Sequence, residues 1–439
     1  MEKKRIGFVF LISVIAALGG LLFGFDTAVI SGVVPYIEEY FELSSAQIGW
    51  VVGSLLLGAI GGVLSAGAPA DKYGRRKVLA AAAVLFVISA VGTALAKDVA
   101  VFVTFRVLGG FAVGIASMIS PMYIAEVAPA QHRGKLVSLN QLTIVIGILV
   151  AFYSNYLLSG VGENNWRWML IIMAVPAALF FIALFFVPES PRWLIVVNNK
   201  EKALEVLIKI NGEEEAKTEA ENIENALMNH EKPSIKDLLN PGLRKALLIG
   251  IGLATLQQFT GINSIMYYAP MIFKESGLST ADAIFQTIAV GVVNLLFTLI
   301  SIRIVDKVGR KPLLVYGSLV MAIFLSLLAV SFHLNWGGMF KLTFILGFIG
   351  AFAVSLGPVT WILIAEIFPN KVRGKAMSVS IVFVWISAFI LSLFFPILSD
   401  GIGLGATFLI LAFISALSFW FNVKYVPETK GKNLEEIKI

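Results

Sequence analysis

The chain has 439 residues, of which 58% are hydrophobic and only 14% are charged, and its mean hydropathy is +0.87. This composition excludes a water-soluble globular protein and predicts a membrane protein. The net charge of +6 does not indicate nucleic-acid binding, because the basic residues follow the membrane topology. The absence of Cys excludes disulfide bonds and thiol chemistry.

Twelve apolar runs along the chain are long enough to cross a bilayer as helices. They cover approximately residues 6–34, 47–69, 78–96, 99–124, 136–158, 168–187, 246–273, 283–305, 312–332, 341–365, 376–398 and 404–426. The first run is too long for a secretion signal and lacks a small-residue cleavage site, so a retained helix is predicted. The pattern predicts an all-α membrane protein with two six-helix bundles, 1–188 and 246–439, joined by an intracellular insert, 189–245.

The insert is predicted to contain short amphipathic helices. Asn199 caps the first helix, which ends at the Asn-Gly pair 211–212, and a second helix begins near Glu213. A capping-box pattern at 234–237 starts a third helix, which Pro241 ends. A plain linker is the alternative, but the apolar stripe at spacing three to four favours a helical platform that clamps the two bundles.

The basic residues are concentrated in alternate loops. Lys97, Arg167, Lys274 and Lys341 are the ones assigned to the outer side, and nearly all the others fall on the side of the N-terminal tail. The positive-inside rule therefore places both termini in the cytoplasm, with the chain in the cytoplasmic membrane. The sequence also contains no Asn-x-Ser/Thr acceptor, which favours a prokaryotic protein.

Three short motifs occur twice in the same order. The segment 71–77 (DKYGRRK) recurs as 306–311 (DKVGRK), the segment 125–135 recurs as 365–375, and the Pro-Glu pair at 188–189 recurs at 427–428. The copies are about 235–240 residues apart, which predicts an internal duplication of one membrane unit. The two halves are therefore expected to be related by a pseudo-two-fold axis along the membrane normal.

Two ionisable residues lie well inside the predicted spans. Asp26 and Arg106 each cost about 2.5–3.5 kcal/mol at a helix centre. They lie roughly 14 and 11 Å below the outer surface, which allows them to pair. One interpretation is a structural ion pair. The other is a proton site, where Asp26 binds a proton in one state and ionises beside Arg106 in another.

No constellation typical of an enzyme is present. His132, His230 and His333 lie in or beside loops without metal-ligand spacing, so solvated surface histidines and no metal site are predicted. The sequence contains no phosphate-binding P-loop, no nucleophile elbow and no HExxH motif. We therefore predict a protein that is not an enzyme, that needs no cofactor and that binds no nucleic acid.

Six motifs together resemble those of the sugar porters, a family of the major facilitator superfamily. They are LFGFDTAVISG at 22–32, RxxGG at 106–110, PESPRW at 188–193, QQFTGIN at 257–263, GPVTW at 357–361 and PETKG at 427–431. The resemblance covers essentially the whole chain and extends to the family's bacterial glucose–proton and xylose–proton symporters. It implies the major facilitator fold, transport of a monosaccharide by alternating access, and the proton as coupling ion.

The resemblance also implies a sugar pocket between the two bundles. Its predicted lining is Phe23, Gln141, Ile148, Gln257, Gln258, Asn263, Tyr268, Asn294, Gly357 and Trp361. Amide side chains both donate to and accept from sugar hydroxyls, and Trp361 offers a face to the C–H side of a sugar ring. A single Gln in a span is often interhelical glue, but the grouping at 257–263 favours a binding site.

One position departs from the family pattern and bears on substrate choice. Val384 stands before Trp385 where many relatives carry Asn or Gln, so one polar contact is missing. Ile148 is apolar as well. This arrangement is similar to that of hexose carriers and favours D-glucose or a related hexose.

The repeated loop motifs resemble the cytoplasmic ion-pair network of the family. The predicted gating residues are Asp71, Arg75, Glu126, Arg133, Glu189 and Arg192 in the first half and Arg310, Glu366 and Arg373 in the second. Such a network would stabilise the outward-open state and break when the inside opens. Simple positive-inside placement is the alternative, but it leaves the acids at matching positions without explanation.

The leading hypothesis is proton-coupled monosaccharide import by a chain that functions as a monomer in the bilayer. A uniporter of the same fold is one alternative, but such facilitators tend to carry an amide at the position of Asp26. A transport-dead sugar receptor is the second alternative. Such receptors tend to carry a long cytosolic tail, whereas the tails predicted here are short.

Overall fold

The computed structural model describes residues 2–129, 131–228, 238, 240–369 and 372–430, and these residues form helices without any strand. The helices are α1 (Glu2–Tyr40), α2 (Ser45–Tyr73), α3 (Arg75–Ala94), α4 (Val99–Val127), α5 (Arg133–Leu158), α6 (Asn165–Ile171), α7 (Ala174–Ala183), α8 (Pro191–Val196), α9 (Lys200–Asn211), α10 (Glu213–Met228), α11 (Pro241–Phe259), α12 (Ile262–Lys274), α13 (Thr280–Val308), α14 (Arg310–His333), α15 (Gly338–Val354), α16 (Leu356–Glu366) and α17 (Arg373–Tyr425). One 3₁₀ turn, Leu184–Phe186, follows α7.

Eleven helical runs in the described part of the chain are long and apolar enough to span a bilayer. The last run, α17, has 53 residues, and Gly403 within it has φ 80° and ψ 157°, which is not helical. The run therefore contains two spans, one on each side of Gly403. Together with the ten runs before it, α17 accounts for the twelve spans predicted from the hydropathy pattern.

Two predicted spans are broken near their middle. α11 gives way to α12 at Gly261, whose φ of 97° and ψ of 10° are left-handed. α15 gives way to α16 at Ser355, with φ −125° and ψ −94°. Pro358 follows that break and cannot donate a backbone hydrogen bond, which prevents a continuous helix. Each break frees backbone polar groups that must find partners inside the membrane.

The helices of the insert match the sequence prediction where the structure describes them. The side chain of Asn199 caps α9 by accepting from the backbone N–H of Lys202, and α9 is followed by Gly212. Arg5, at the start of α1, donates from Nη1 to the carbonyl of Asn211 at 2.8 Å, which satisfies the end of α9. The third helix predicted at 234–237 lies outside the described residues. Pro241 begins α11 instead of ending a helix. Proline is common at the first helical position, because its missing N–H would have no partner within the helix there.

The contacts divide the chain into two compact units. The first unit contains residues 1–26, 58–147 and 170–232, and the second contains 27–57, 148–169 and 233–439. Within the second unit, α2 packs against α17: Ser45 Oγ donates to Asp400 Oδ2 at 2.8 Å, and the Trp50 ring meets Phe389 at 6.3 Å. The predicted domain boundaries at 188 and 245 follow the order of the spans and remain a prediction.

Candidate functional site

A buried ion pair joins α1 to α4 inside the first unit. Arg106 Nη1 lies 2.7 Å from Asp26 Oδ1, and the exposed fractions of the two side chains are 1% and 3%. The same nitrogen also donates to the backbone carbonyl of Asp26 at 3.3 Å. Taking two charges out of water is costly, and only good geometry offsets that cost. Removing either charge leaves the other uncompensated, so the pair is sensitive to the protonation of Asp26.

The amide side chains at the break between α11 and α12 form one hydrogen-bonded chain in the second unit. Asn263 Nδ2 donates to Gln258 Oε1 at 2.7 Å, and Gln258 Nε2 donates to Gln257 Oε1 at 3.3 Å. Gln257 and Gln258 are 2% and 7% exposed. A chain of amides presents both donors and acceptors, which is the chemistry that sugar hydroxyls require.

Gln257 links the two helix breaks. Its Nε2 donates to the carbonyl of Leu356 at 2.8 Å and to that of Gly357 at 3.3 Å, both in the first turn of α16. The hydroxyl of Thr260 donates back to the carbonyl of Gln257 at 2.7 Å. These hydrogen bonds hold the amide of Gln257 in place between the two breaks. Broken helices with their polar groups turned to one place are typical of binding sites in transporters.

The other predicted sugar-site residues differ in their surroundings. Tyr268 is fully used in packing, because its hydroxyl donates to the Ser392 carbonyl at 2.8 Å and its ring stacks on Phe395 at 5.3 Å. In the second unit, Asn294 is buried on α13, and Ile148 and Trp361 are half-buried. Phe23 and Gln141 are half-buried in the first unit. A cavity shared by all ten residues involves both units and stays a prediction.

The repeated loop motif of the first unit forms a charge cluster around Arg75. Its guanidinium makes two hydrogen bonds of 3.0 Å to Glu126 and a third contact of 3.3 Å to Asp71. The hydroxyl of Ser190 also donates to Glu126. Glu189 accepts from the backbone N–H groups of Arg75 and of its neighbour Arg76 at 2.9 and 3.1 Å, and so caps α3. Bidentate Arg–carboxylate pairs are among the stronger side-chain contacts.

The second unit repeats this cluster with different residues. Arg310 donates to Glu366 at 2.9 and 3.2 Å and pairs with Asp306 at 3.0 Å. The hydroxyl of Thr429 donates to Glu366, as that of Ser190 does to Glu126. Glu428 accepts from the backbone N–H of Arg310 at 3.1 Å and caps α14. Both copies of the sequence repeat therefore build the same arrangement of contacts.

The two capping carboxylates differ in their proton affinity. Burial raises the pKa of Glu189 above its ordinary value, although the backbone N–H groups of Ser190, Arg76 and Arg75 work in the opposite direction. At Glu428 burial also acts to raise the pKa, but four backbone N–H groups outweigh it and the pKa is lowered. The carboxylate that caps α14 therefore stays charged to lower pH than the one that caps α3.

Comparison with known proteins identifies the family. The family model described as "Sugar (and other) transporter" matches residues 12–439. The chain belongs to the sugar transporter family. It is 45% identical to the arabinose–proton symporter of Bacillus subtilis (strain 168), covering 100% of this chain and 96% of the relative. It is 41% identical to the D-xylose–proton symporter of Escherichia coli (strain K12), covering 98% of this chain and 95% of the relative.

Solved structures of this sugar transporter family share the fold. The partially occluded, inward-open conformation of the xylose transporter XylE from E. coli matches with a TM-score of 0.88 and 40% identity, covering 97% of this chain and 100% of that one. The predicted all-α major facilitator fold is confirmed, and so is the prediction of a transporter rather than an enzyme. The chain is a multi-pass membrane protein.

Three predicted gating residues are not paired with a carboxylate in the described part of the chain. Among the described residues, Arg133 and Arg192 form no ion pair, and Arg373 Nε donates to the Phe368 carbonyl at 3.3 Å rather than to a carboxylate. Ser190 and Thr429, which donate to the central glutamates Glu126 and Glu366, were not predicted from the sequence. The signal was present, because a hydroxyl residue follows the glutamate in both copies of the Pro-Glu motif.

Proposed function

We propose that this chain carries a monosaccharide into the cell together with protons, by alternating access across the cytoplasmic membrane, with both termini in the cytoplasm. The observation that carries the proposal is the buried ion pair of Asp26 and Arg106 in a member of a sugar transporter family. The two relatives described above are named as sugar–proton symporters, which supports the same coupling here.

The proton step follows from the chemistry of the pair. The charge of Arg106 favours ionised Asp26, whereas burial favours the neutral acid. Protonation from the outside removes the charge–charge attraction between Asp26 and Arg106. When the conformational change restores the contact, Asp26 ionises and the proton leaves on the inside. Each proton entering down the membrane potential contributes about 2.3 kcal/mol per 100 mV, which supports roughly a 50-fold sugar gradient.

The amide chain of Gln257, Gln258 and Asn263 is proposed to bind the sugar, together with Gln141 and Asn294. The half-buried ring of Trp361 supplies an apolar face for the C–H side of the sugar. Phe23, Ile148 and Gly357 complete the lining, and Tyr268 supports it from behind through its packing on Phe395. The apolar pair Ile148 and Val384 favours D-glucose or a related hexose. Pentoses are the second candidate, because the relatives are named for arabinose and D-xylose.

The two charge clusters are proposed to control access from the cytoplasm. Each cluster ties the loops of one unit around one arginine, Arg75 or Arg310, and one glutamate, Glu126 or Glu366. Intact clusters would stabilise the outward-open state, and their separation would accompany inward opening. The insert helices α8, α9 and α10 would add a platform on the cytoplasmic side.

Uptake into vesicles that contain the purified chain tests the coupling. The wild-type protein is expected to accumulate sugar when an inward proton gradient is imposed, and D-glucose, D-xylose and L-arabinose are compared. Asp26→Asn mimics the protonated acid, so it should still exchange sugar between equal pools but should not accumulate it. Asp98→Asn is the matched control, because Asp98 only caps α4 and Asn caps equally well.

The possible outcomes separate the alternatives. Accumulation by Asp26→Asn under a proton gradient would show that Asp26 is not the coupling residue and would leave the structural ion pair as its explanation. Exchange without gradient-driven accumulation in the wild-type protein would indicate a uniporter. Sugar binding without exchange would indicate a receptor.

A further inference from the structure

The two oxygens of the buried Asp26 carboxylate have different surroundings. Oδ1 is engaged by Arg106, whereas Oδ2 makes no hydrogen bond with any residue that the structure describes. Oδ2 lies against Gly109 on α4. A Cβ atom at Gly109 would be 2.9 Å from Asp26 Oδ2 and closer still to the hydroxyl of Ser89.

Ser89 reaches the same glycine from α3. It is 2% exposed, and its hydroxyl donates to the Phe105 carbonyl at 2.8 Å. The single hydrogen of the hydroxyl is therefore already used, while its oxygen retains lone pairs that can accept. Asp26 Oδ2 and Ser89 Oγ thus both lie over Gly109, where any larger residue would push them away.

A protonated carboxyl group needs a hydrogen-bond acceptor when it is buried, because an unsatisfied O–H in a low-dielectric interior is costly. Arg106 offers only donors, so it cannot accept from the neutral acid. A proton on Oδ2 therefore needs an acceptor close to Gly109, and the hydroxyl oxygen of Ser89 lies at that glycine. The proton comes from outside water, and no other bond has to form or break.

We propose that Ser89 Oγ accepts the hydrogen bond of protonated Asp26 over Gly109, and so sets the pH range of proton-driven uptake. This inference rests on the proposed function, in which Asp26 carries the coupling proton. It assigns a partner to each form of the acid: Arg106 binds the charged form, and Ser89 binds the neutral one.

Few other groups in this part of the first unit can contribute to the pH dependence of sugar uptake. Among the ionisable side chains of the described residues, Arg106 on α4 is the group whose charge acts on Asp26. The group that α3 contributes at Gly109 is the uncharged hydroxyl of Ser89. A change at residue 89 therefore alters hydrogen bonding without altering the local charge.

The alternative is that Ser89 serves only to join α3 to α4 through the Phe105 carbonyl. A purely structural role predicts changes in stability without a change in the pH profile. The two explanations are separated by a measurement that follows the proton affinity of Asp26 itself.

The first test is the pH profile of proton-driven sugar uptake in vesicles. Ser89→Ala removes the acceptor of the neutral acid, so the midpoint should move to lower pH by about 0.5–1 unit, equivalent to about 0.7–1.4 kcal/mol. Ser89→Thr keeps a hydroxyl and should retain the wild-type midpoint. The control is Ser117→Ala, which removes a serine-to-carbonyl bond of the same length, to Gly114 at 2.8 Å, within α4 and away from Asp26.

The second test is infrared difference spectroscopy of the same proteins across a pH titration. The C=O band of the protonated carboxyl, identified by its loss in Asp26→Asn, should move to higher frequency in Ser89→Ala because a hydrogen bond is lost. This readout needs only folded protein and not transport. It therefore remains available if a variant is transport-inactive.

The outcomes separate this inference from the proposed function. If Asp26→Asn abolishes accumulation but Ser89→Ala changes neither the midpoint nor the band, the acceptor assignment is wrong and the coupling proposal stands. If the wild-type protein shows no gradient-driven accumulation, the proposed function fails first. A midpoint shift as large in Ser117→Ala as in Ser89→Ala would also overturn the assignment.

Discussion

The most direct structural prediction concerns Gly74, the glycine of the first repeated loop. Its φ of 97° and ψ of 160° lie where L side chains are strongly disfavoured. A Cβ atom there would clash with Glu189 Oε2 and would lie 2.7 Å from its Cδ. Gly74→Ala therefore strains the backbone and at the same time displaces the carboxylate that caps α3.

The size of the effect follows from these two contributions. A non-glycine residue in a sparsely populated backbone region costs of order 1–3 kcal/mol. Loss of a helix cap costs about 0.5–2 kcal/mol, and the hydrogen bonds at stake here are the contacts of 2.9 and 3.1 Å from Arg75 and Arg76 to Glu189. The substitution should lower the stability of the first charge cluster by roughly 2–4 kcal/mol.

Thermal unfolding of the purified protein in detergent measures this loss. Gly309→Ala should behave alike, because Gly309 has φ 101° and its Cβ would lie 2.7 Å from Glu428 Oε2. Gly134→Ala and Gly374→Ala are matched controls, since a Cβ at either position meets nothing within 4 Å. Equal unfolding temperatures for the Gly74 and Gly134 variants would refute the reasoning.

Three further predictions concern affinity, pH and gating. Gln258→Ala should weaken sugar binding several-fold, because unpaired hydroxyls cost about 1–3 kcal/mol; unchanged calorimetric affinity would remove Gln258 from the site. Because folding lowers the pKa of Glu428, its charged form stabilises the protein above the unfolded-state pKa, and this stabilisation is lost as pH falls through the folded-state pKa. Folding raises the pKa of Glu189, so the charged form of that residue contributes unfavourably to stability instead. Glu428→Gln should therefore destabilise the protein more than Glu189→Gln at about pH 7, with the difference shrinking on acidification; unfolding temperatures across pH would contradict this if the order reversed. Arg75→Ala should speed the labelling of a cysteine introduced into the inner cavity more than Arg133→Ala does, and equal rates would argue against a gating role for the Arg75 cluster.

The fold was predictable because its determinants are local or repeated. Hydropathy alone identifies the spans, since lipid demands long apolar helices. The caps of α9 could be predicted because Asn199 and Gly212 form hydrogen bonds with backbone groups that are close to them in the sequence. The pairing of Asp26 with Arg106 was also accessible, because two charges at one depth in a membrane have few other partners.

The remaining features depend on tertiary geometry that spacing does not encode. The break at Ser355 lies three residues before Pro358, within one continuous apolar run. Hydropathy alone therefore does not reveal it. The choice of Arg75 rather than Arg133 as the partner of Glu126 depends on which loop reaches that carboxylate in three dimensions. The close approach of Asp26 and Ser89 to Gly109 is visible only once α1, α3 and α4 are packed together.

The amide chain at the α11–α12 break has a consequence for cargo release. Because Asn263 bonds to Gln258 and Gln258 bonds to Gln257, an arriving sugar would exchange existing hydrogen bonds rather than fill unmet ones. The net gain per exchanged bond is then small, about 0.5–1.5 kcal/mol at most. A carrier has to release its substrate in every cycle. Side chains that can re-form their hydrogen bonds with one another when the sugar leaves lower the free-energy cost of that release.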